Sequence, residues 1–255
     1  MSYAYLFENL SVSYGKTEIL KGITGCILKG HATALIGPNG SGKTTLLKAL
    51  CSLLPFHGKL DLNGQDIKGY TRRELGKILG IVAQQTSMKN AFTVYETIGF
   101  GRIPHQGLLS PFSKLDEEIT QEAAKRLGIS HLLFRPVTEL SGGEKARVML
   151  AMAVAQEPEI FLLDEPTAAM DPYQARHAFR LMKELADSGK TVVTVAHDIN
   201  AALTCADNYI ALREGKILSV GTSSELDEDL LQELYGTPFE RYTSEKGDKV
   251  WHPTR

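Results

Sequence analysis

The apolar run Ala32-Thr-Ala-Leu-Ile36 leads directly into Gly37-Pro-Asn-Gly-Ser-Gly-Lys43-Thr44. No other stretch constrains the fold as strongly. A short run this apolar reads as a strand buried on both faces. The glycines that follow let successive backbone N–H groups turn inward around an anion. Thr44 to Leu54 then reads as a helix stopped by Pro55, and it presents its positive end to the same anion. Strand, glycine loop and helix together match the phosphate-loop pattern G-x-x-x-x-G-K-[ST]. In such a loop Lys43 reaches the outer phosphates and the Thr44 hydroxyl ligates Mg²⁺. A bare glycine turn before a helix would explain the residues alone, but not the strand before them and the helix after.

A second apolar strand, Ile160-Phe-Leu-Leu163, ends in Asp164-Glu165. A carboxylate at the C-terminal end of such a strand is placed to hold the Mg²⁺ shell, which assigns Asp164 to the metal. Glu165 is then the candidate general base for an attacking water. Alone, an apolar strand followed by acids is common. Beside a phosphate loop it gains meaning.

The remaining chain fits an α/β protein. Strands are expected around Leu6–Val12 and Ile19–Ile23, with turns at Gly15-Lys16 and Gly22, and at Lys59–Gly64. Helical periodicity appears at Val94–Phe100 and Leu115–Leu127, punctuated by Pro104, Pro111 and Pro136, as a small helical insertion. Further helices are expected at Gly142–Gln156 and Gln174–Ala186, a strand at Thr191–Val195, and a hairpin around Arg213-Glu-Gly215. Buried strands alternating with helices imply a parallel sheet. The last 25 residues are polar and show no clear period.

Composition limits the partners. In 255 residues, 28 Lys and Arg face 30 Asp and Glu, so no global basic excess draws the chain to nucleic acid or anionic lipid. Cys26, Cys51 and Cys205 are odd in number and far apart, which fits reduced thiols rather than a disulfide framework. The N-terminal residues lack the basic n-region of a signal peptide. The longest apolar run, Val148–Ala155, falls far short of the roughly 20 residues that span a bilayer. Any membrane role is expected to act through a partner.

Leu140-Ser-Gly-Gly-Glu144 decides among phosphate-loop families. Ser141 and the glycines open a helix, offering a second anion site, and Glu144 also fits a capping box with Ser141. The stretch resembles the signature of ATP-binding cassette (ABC) proteins, with Glu144 where Gln is usual. Other family motifs follow in order. Tyr14, 23 residues before Gly37, resembles the aromatic that stacks on adenine. Gln84 resembles the glutamine that senses Mg²⁺ and the attacking water, with the adjacent Gln85 leaving the register open. Ala168-Ala-Met-Asp171 resembles the loop that crosses to a partner subunit, with Met for the usual Leu. His197 resembles the switch histidine at the γ-phosphate.

The resemblance covers roughly residues 3–225. It implies a P-loop NTPase core, an N-terminal antiparallel β-subdomain and an inserted α-helical subdomain at about residues 86–145, in one domain over residues 1–225 followed by a tail at 226–255. It implies ATP and Mg²⁺ as cofactors. ATP is expected on Tyr14, Gly37, Pro38, Asn39, Gly40, Ser41, Gly42, Lys43, Thr44 and Thr45 of one chain, and on Ser141, Gly142, Gly143 and Asp171 of a second copy packed head-to-tail. Thr44, Gln84 and Asp164 are the expected metal ligands; Glu165, His197 and Gln84 are the expected catalytic residues.

The texture of Ala91–Gly107, the Glu144 variant and Asp198-Ile-Asn-Ala are similar to the importer branch for ferric siderophores, haem and vitamin B12. The implied partners are an integral membrane permease and, indirectly, a solute-binding protein, with the chain cytoplasmic and peripheral on the inner face of the cell membrane. Tyr95, Phe100 and Arg102 are candidates for a groove holding a permease helix, or for subdomain core. A soluble ABC ATPase with a regulatory or ribosome-associated role stands as the alternative, as does a cassette that binds ATP without turnover, against which Glu165 and His197 argue.

Overall fold

The computed structural model describes residues 2–84, 91–107, 111–195, 198–243 and 249–254. Its centre is a six-stranded sheet in which parallel strands are buried on both faces. Strand β1 (Tyr3–Tyr14) turns at Gly15-Lys16 into β2 (Thr17–Leu28). β2 continues through Gly22, which takes a left-handed φ of +62° within the strand rather than ending it. Then come β3 (Ala32–Ile36), helix α1 (Lys43–Leu50), β4 (His57–Leu62) and β5 (Gln65–Asp66). The helix expected to reach Leu54 stops at Leu50, because Ser52 adopts a left-handed φ of +54°. Helix α2 (Arg72–Ile78) and β6 (Leu79–Val82) complete the first half.

The insertion contributes α3 (Val94–Gly99) and α4 (Lys114–Arg126), and α5 (Gly142–Ala155) closes it. β7 (Ile160–Asp164), α6 (Pro172–Asp187), β8 (Thr191–Val195) and α7 (Ile199–Cys205) return the chain to the sheet. β9 (Asn208–Arg213) and β10 (Lys216–Thr222) form the expected hairpin at its edge. The polar tail folds into α8 (Glu228–Tyr235) and the antiparallel pair β11 (Phe239–Thr243) and β12 (Lys249–Pro253).

The main sheet runs β10-β9-β3-β8-β7-β6, with β3, β8, β7 and β6 parallel to their neighbours. A separate antiparallel sheet runs β2-β1-β4-β5. Alternating side chains assign the two faces of each strand to different layers. On β7, Ile160 and Leu162 pack toward the antiparallel sheet and α1, while Phe161 and Leu163 pack toward α5 and α6. On β3, Leu35 joins the first layer, and Ala34 and Ile36 meet α7, α8 and Trp251. Because the parallel strands share one direction, the segments leaving β3, β6, β7 and β8 all emerge at one edge. In open α/β sheets that edge is where ligands bind.

Serines and threonines start the insertion helices. Thr93, Ser113 and Ser141 each accept from the N–H three residues on, and Glu96, Asp116 and Glu144 reach back, so all three ends carry capping boxes. Behind them lies a buried ion cluster. Arg102 is 5% exposed. Its Nε donates to Asp116 at 2.9 Å, and its Nη1 donates to the Ala155 carbonyl at 2.7 Å and to Glu157 at 2.9 Å. Arg102 therefore ties α4 to the end of α5 and lines no groove. Tyr95 and Phe100 are half-buried, in edge-to-face contact with Phe112 and Phe92.

Burial opposes ionisation of Asp116, yet the bonds from Arg102 and Ser113 hold its carboxyl below the usual aspartate range. Arg102→Met strands that carboxylate. Breaking a buried pair in this way costs about 3 kcal/mol or more, which thermal unfolding should register as a drop of several degrees. Asp116→Asn should cost less, because Glu157 still faces the guanidinium.

Candidate phosphate-binding site

Three of the emerging segments, those after β3, β6 and β7, build one site. β3 ends at Ile36, and the chain turns through Gly37, Gly40 and Gly42, with φ of +143°, +79° and +106°. A Cβ on Gly37 would lie 2.1 Å from the Leu212 carbonyl, so only glycine allows the loop to leave the sheet here. Pro38 and Asn39 form the outer bend. Lys43 folds back, its Nζ donating to the carbonyls of Gly37 at 2.7 Å and Pro38 at 2.9 Å. Burial lowers the Lys43 ammonium from the ordinary lysine range, opposed by the carboxylates of Glu165 and Asp164. The Ser41 hydroxyl is buried and has no hydrogen-bond partner within the protein. An orphaned hydroxyl in a glycine-rich loop at a helix N-terminus fits an anion, which satisfies buried donors left unpaired.

The acidic wall comes from β7. Asp164 Oδ1 accepts from the Thr44 hydroxyl at 3.1 Å, joining the phosphate loop to the strand end. Burial raises the Asp164 carboxyl above the usual aspartate range; the Thr44 bond opposes this and Glu165 adds to it. Asp164 and Thr44 offer hard oxygen donors, suited to Mg²⁺. No group of three or more His, Cys, Asp or Glu residues placed to hold a metal occurs among the described residues. A cation held by Asp164 and Thr44 would thus complete its shell with phosphate and water oxygens, as Mg²⁺ prefers.

Glu165 takes a left-handed φ of +50°, uncommon for a non-glycine residue, and its N–H donates to the Val195 carbonyl at 2.9 Å. This kink turns its carboxylate toward β6, where Gln84 Nε2 donates to Glu165 Oε2 at 2.8 Å. Strained backbone of this kind persists where surrounding contacts fix it, and it gathers at functional sites.

A cavity of about 430 Å³ opens above these groups. Tyr14, 47% exposed at the end of β1, forms one wall with Ile19 of β2. Thr44, Gln84 and Glu165 line the same cavity. Thr45 is buried and still contributes to the cavity lining. His197 and Gln85 lie outside the described residues.

Ser141, Gly142, Gly143 and Asp171 do not line this cavity. Gly142 and Gly143 instead pack against Ala169 and Met170, in the loop that leads to Asp171. A Cβ on Gly143 would lie 2.8 Å from Gln174 Oε1 and 2.9 Å from the Ala169 carbonyl, so the signature glycine admits the loop that ends at Asp171. Asp171 caps α6, accepting from the Gln174 N–H at 2.8 Å. Glu144 completes its capping box, accepting from the Ser141 hydroxyl at 2.7 Å and from its N–H at 2.8 Å. These bonds lower the Glu144 carboxyl. Two residues beside the loop escaped sequence reasoning. Ile19 is placed only by pairing of β2 with β1. Tyr235 donates no local pattern at all, yet its hydroxyl accepts from the Gly37 N–H at 3.2 Å.

A raised Asp164 predicts a specific pH response. Cation binding needs the ionised carboxylate, and that form is lost as pH falls through the raised value. Mn²⁺ affinity, followed by electron paramagnetic resonance, should therefore begin to fall at a higher pH than the value of about 3.9 for a free aspartate. Asp164→Asn should weaken binding and flatten this profile.

Comparison with known proteins agrees with the geometry. The ABC transporter family model matches residues 20–168. The ferric enterobactin transport ATP-binding protein FepC of Escherichia coli (strain K12) is 41% identical over 232 residues, covering 90% of this chain and 86% of FepC. A metal-chelate type ABC transporter, solved in an inward-facing conformation, superposes with a TM-score of 0.84 at 26% identity, covering 100% of this chain and 98% of that one. The dimeric, post-hydrolysis cassette MJ0796 bound to ADP and Pi superposes with a TM-score of 0.77 at 28% identity, covering 86% and 98%. With its phosphate loop, its α/β core and its inserted helices, the chain belongs to the ABC transporter family.

Proposed function

We propose that this chain is the ATP-binding, ATP-hydrolysing subunit of an ABC importer that drives uptake of an iron–siderophore complex, haem or vitamin B12 through a separate membrane permease. The observation that carries the chemistry is the convergence of Lys43, the Thr44–Asp164 pair and the Gln84–Glu165 pair at one sheet edge. The importer reading rests on similarity to FepC over nearly the full length of both chains.

Each described residue has a role that its surroundings support. Tyr14 offers a half-exposed ring at the cavity mouth for the adenine. The N–H groups of Pro38-following residues Asn39 to Thr45, together with Lys43, receive the phosphates. Mg²⁺ would be held by Thr44 and Asp164, with Gln84 reaching its shell, and would neutralise charge between the outer phosphates. Glu165 accepts a proton from water as the water oxygen attacks the γ-phosphorus and the bond to the ADP oxygen breaks. Gln84 holds the Glu165 carboxylate in place, and His197 is assigned to the γ-phosphate by motif alone.

Ser141, Gly142, Gly143 and Asp171 stand apart from the phosphate loop of their own chain. This supports a head-to-tail pair in which each ATP is closed by the signature of a second copy. The dimeric cassette bound to ADP and Pi shares this fold. ATP then works as the glue, and hydrolysis lets the pair open, a contact switch of the kind other nucleotide proteins use. The permease, a solute-binding protein acting through it, and a place on the inner face of the cell membrane belong to the same reading. Among the described residues no helix is long and apolar enough to cross a membrane.

Glu165→Gln separates binding from chemistry. The substitution should lower ATP turnover by about 100-fold or more, the scale of a lost general base, while ATP binding persists. In size-exclusion chromatography with ATP and Mg²⁺ the variant should run as a dimer, and without ATP as a monomer. A variant that keeps near-normal turnover contradicts the role of Glu165. One that stays monomeric with ATP contradicts the paired arrangement for the isolated chain.

A further inference from the structure

The tail folds back onto the phosphate loop. α8 places Leu231 and Leu234 in a buried cluster with Ala34 and Ile36 of β3, the strand that feeds the loop. Its last residue, Tyr235, then reaches Gly37, whose N–H donates to the Tyr235 hydroxyl at 3.2 Å. The carbonyl of the same glycine accepts from Lys43 Nζ at 2.7 Å. Both polar atoms of Gly37 are thus tied, one to the lysine of the loop and one to the tail. Gly37 needs such ties. At φ +143° it occupies backbone space open only to glycine, where the chain itself does little to fix the peptide's orientation.

The hydroxyl is held by a rigid surround. The Tyr235 ring packs on Phe239, with centroids 5.6 Å apart. Gly236 ends α8 in a left-handed conformation at φ +72°. Arg213, at the end of β9, donates to the Glu233 carbonyl of α8. Trp251 of β12 is 3% exposed in the same cluster and exchanges two hydrogen bonds with Asn200 of α7, at 2.7 and 2.9 Å. Burial pushes the Tyr235 phenol up, against the opposing bond from Gly37, so it stays a neutral hydroxyl at physiological pH.

We propose that Tyr235 is a positioning residue for the phosphate loop, its hydroxyl fixing the Gly37 peptide from the C-terminal segment. It does not line the cavity and touches no reacting atom; it acts through Gly37. The inference rests on the nucleotide-binding reading above. It gives the tail a task in nucleotide affinity, beyond packing.

Tyr235→Phe in the full chain is the test, because it removes one oxygen and keeps the ring against Phe239. Three quantities are read on the purified protein: Kd for a fluorescent ADP analogue, KM and kcat for ATP hydrolysis, and Tm. A buried hydrogen bond of ordinary strength corresponds to a rise of about 2- to 10-fold in Kd and KM, with kcat within about twofold and Tm within a few degrees. Tyr242→Phe, altering an exposed tyrosine of the same tail, should leave all of them unchanged. An unchanged Kd and KM in Tyr235→Phe overturns the proposal. So does a joint fall in affinity, kcat and Tm, the mark of general loosening. A wild-type chain that binds no ADP analogue overturns the nucleotide-binding reading itself; wild-type binding with an unaltered variant overturns only the role of Tyr235.

Discussion

Every functional group at the phosphate edge depends on the parallel ladder of β3, β8, β7 and β6. The ladder is buried on both faces, and its shared direction brings Gly37, Gln84 and Asp164-Glu165 to one rim. A register slip of one residue in β7 would exchange Ile160 and Leu162 with Phe161 and Leu163 between two different layers. The same slip would carry Asp164 away from Thr44. Packing on both faces of the strand thus sets the 3.1 Å contact between hydroxyl and carboxylate. The chemistry is anchored by hydrophobic alternation rather than by the polar residues themselves.

The site is prepared electrostatically before a ligand arrives. Lys43, lowered by burial, is parked on two carbonyls of its own loop, and Asp164 is raised by burial next to Glu165. Triphosphate and Mg²⁺ would add opposite charge beside each residue, favouring the ammonium of Lys43 and the carboxylate of Asp164. The second cluster, at Ser141–Gly143 and Asp171, is equally settled within its own chain, through caps and close packing. None of its residues lines the cavity at the phosphate loop of the same chain. That separation is the structural reason for expecting two copies to act together.

Much of this was legible in residue order. Gly37–Thr44 announces its chemistry because local backbone geometry demands glycine at fixed places, and the capping box at Ser141 is likewise a local pattern. β7 and β8 show as apolar runs because both faces are buried. Less local features were hidden. In sequence Arg102 is a candidate for a groove or for subdomain core, and only the approach of Asp116 and Glu157 decides for the core. The tail has no sustained period because its apolar anchors, Leu231, Leu234 and Trp251, are spread over a helix and a hairpin and meet only on β3. Tyr235 opposite Gly37 is a contact across 198 residues, which no local rule encodes.

ATP turnover at this edge is proposed to drive a membrane partner. Affinity purification of the chain from gently solubilised native membranes, followed by mass spectrometry, tests it most directly. The account predicts a polytopic permease in near-equal amount. Recovery with ribosomes, or without any membrane protein while the chain stays in the soluble fraction, would contradict it.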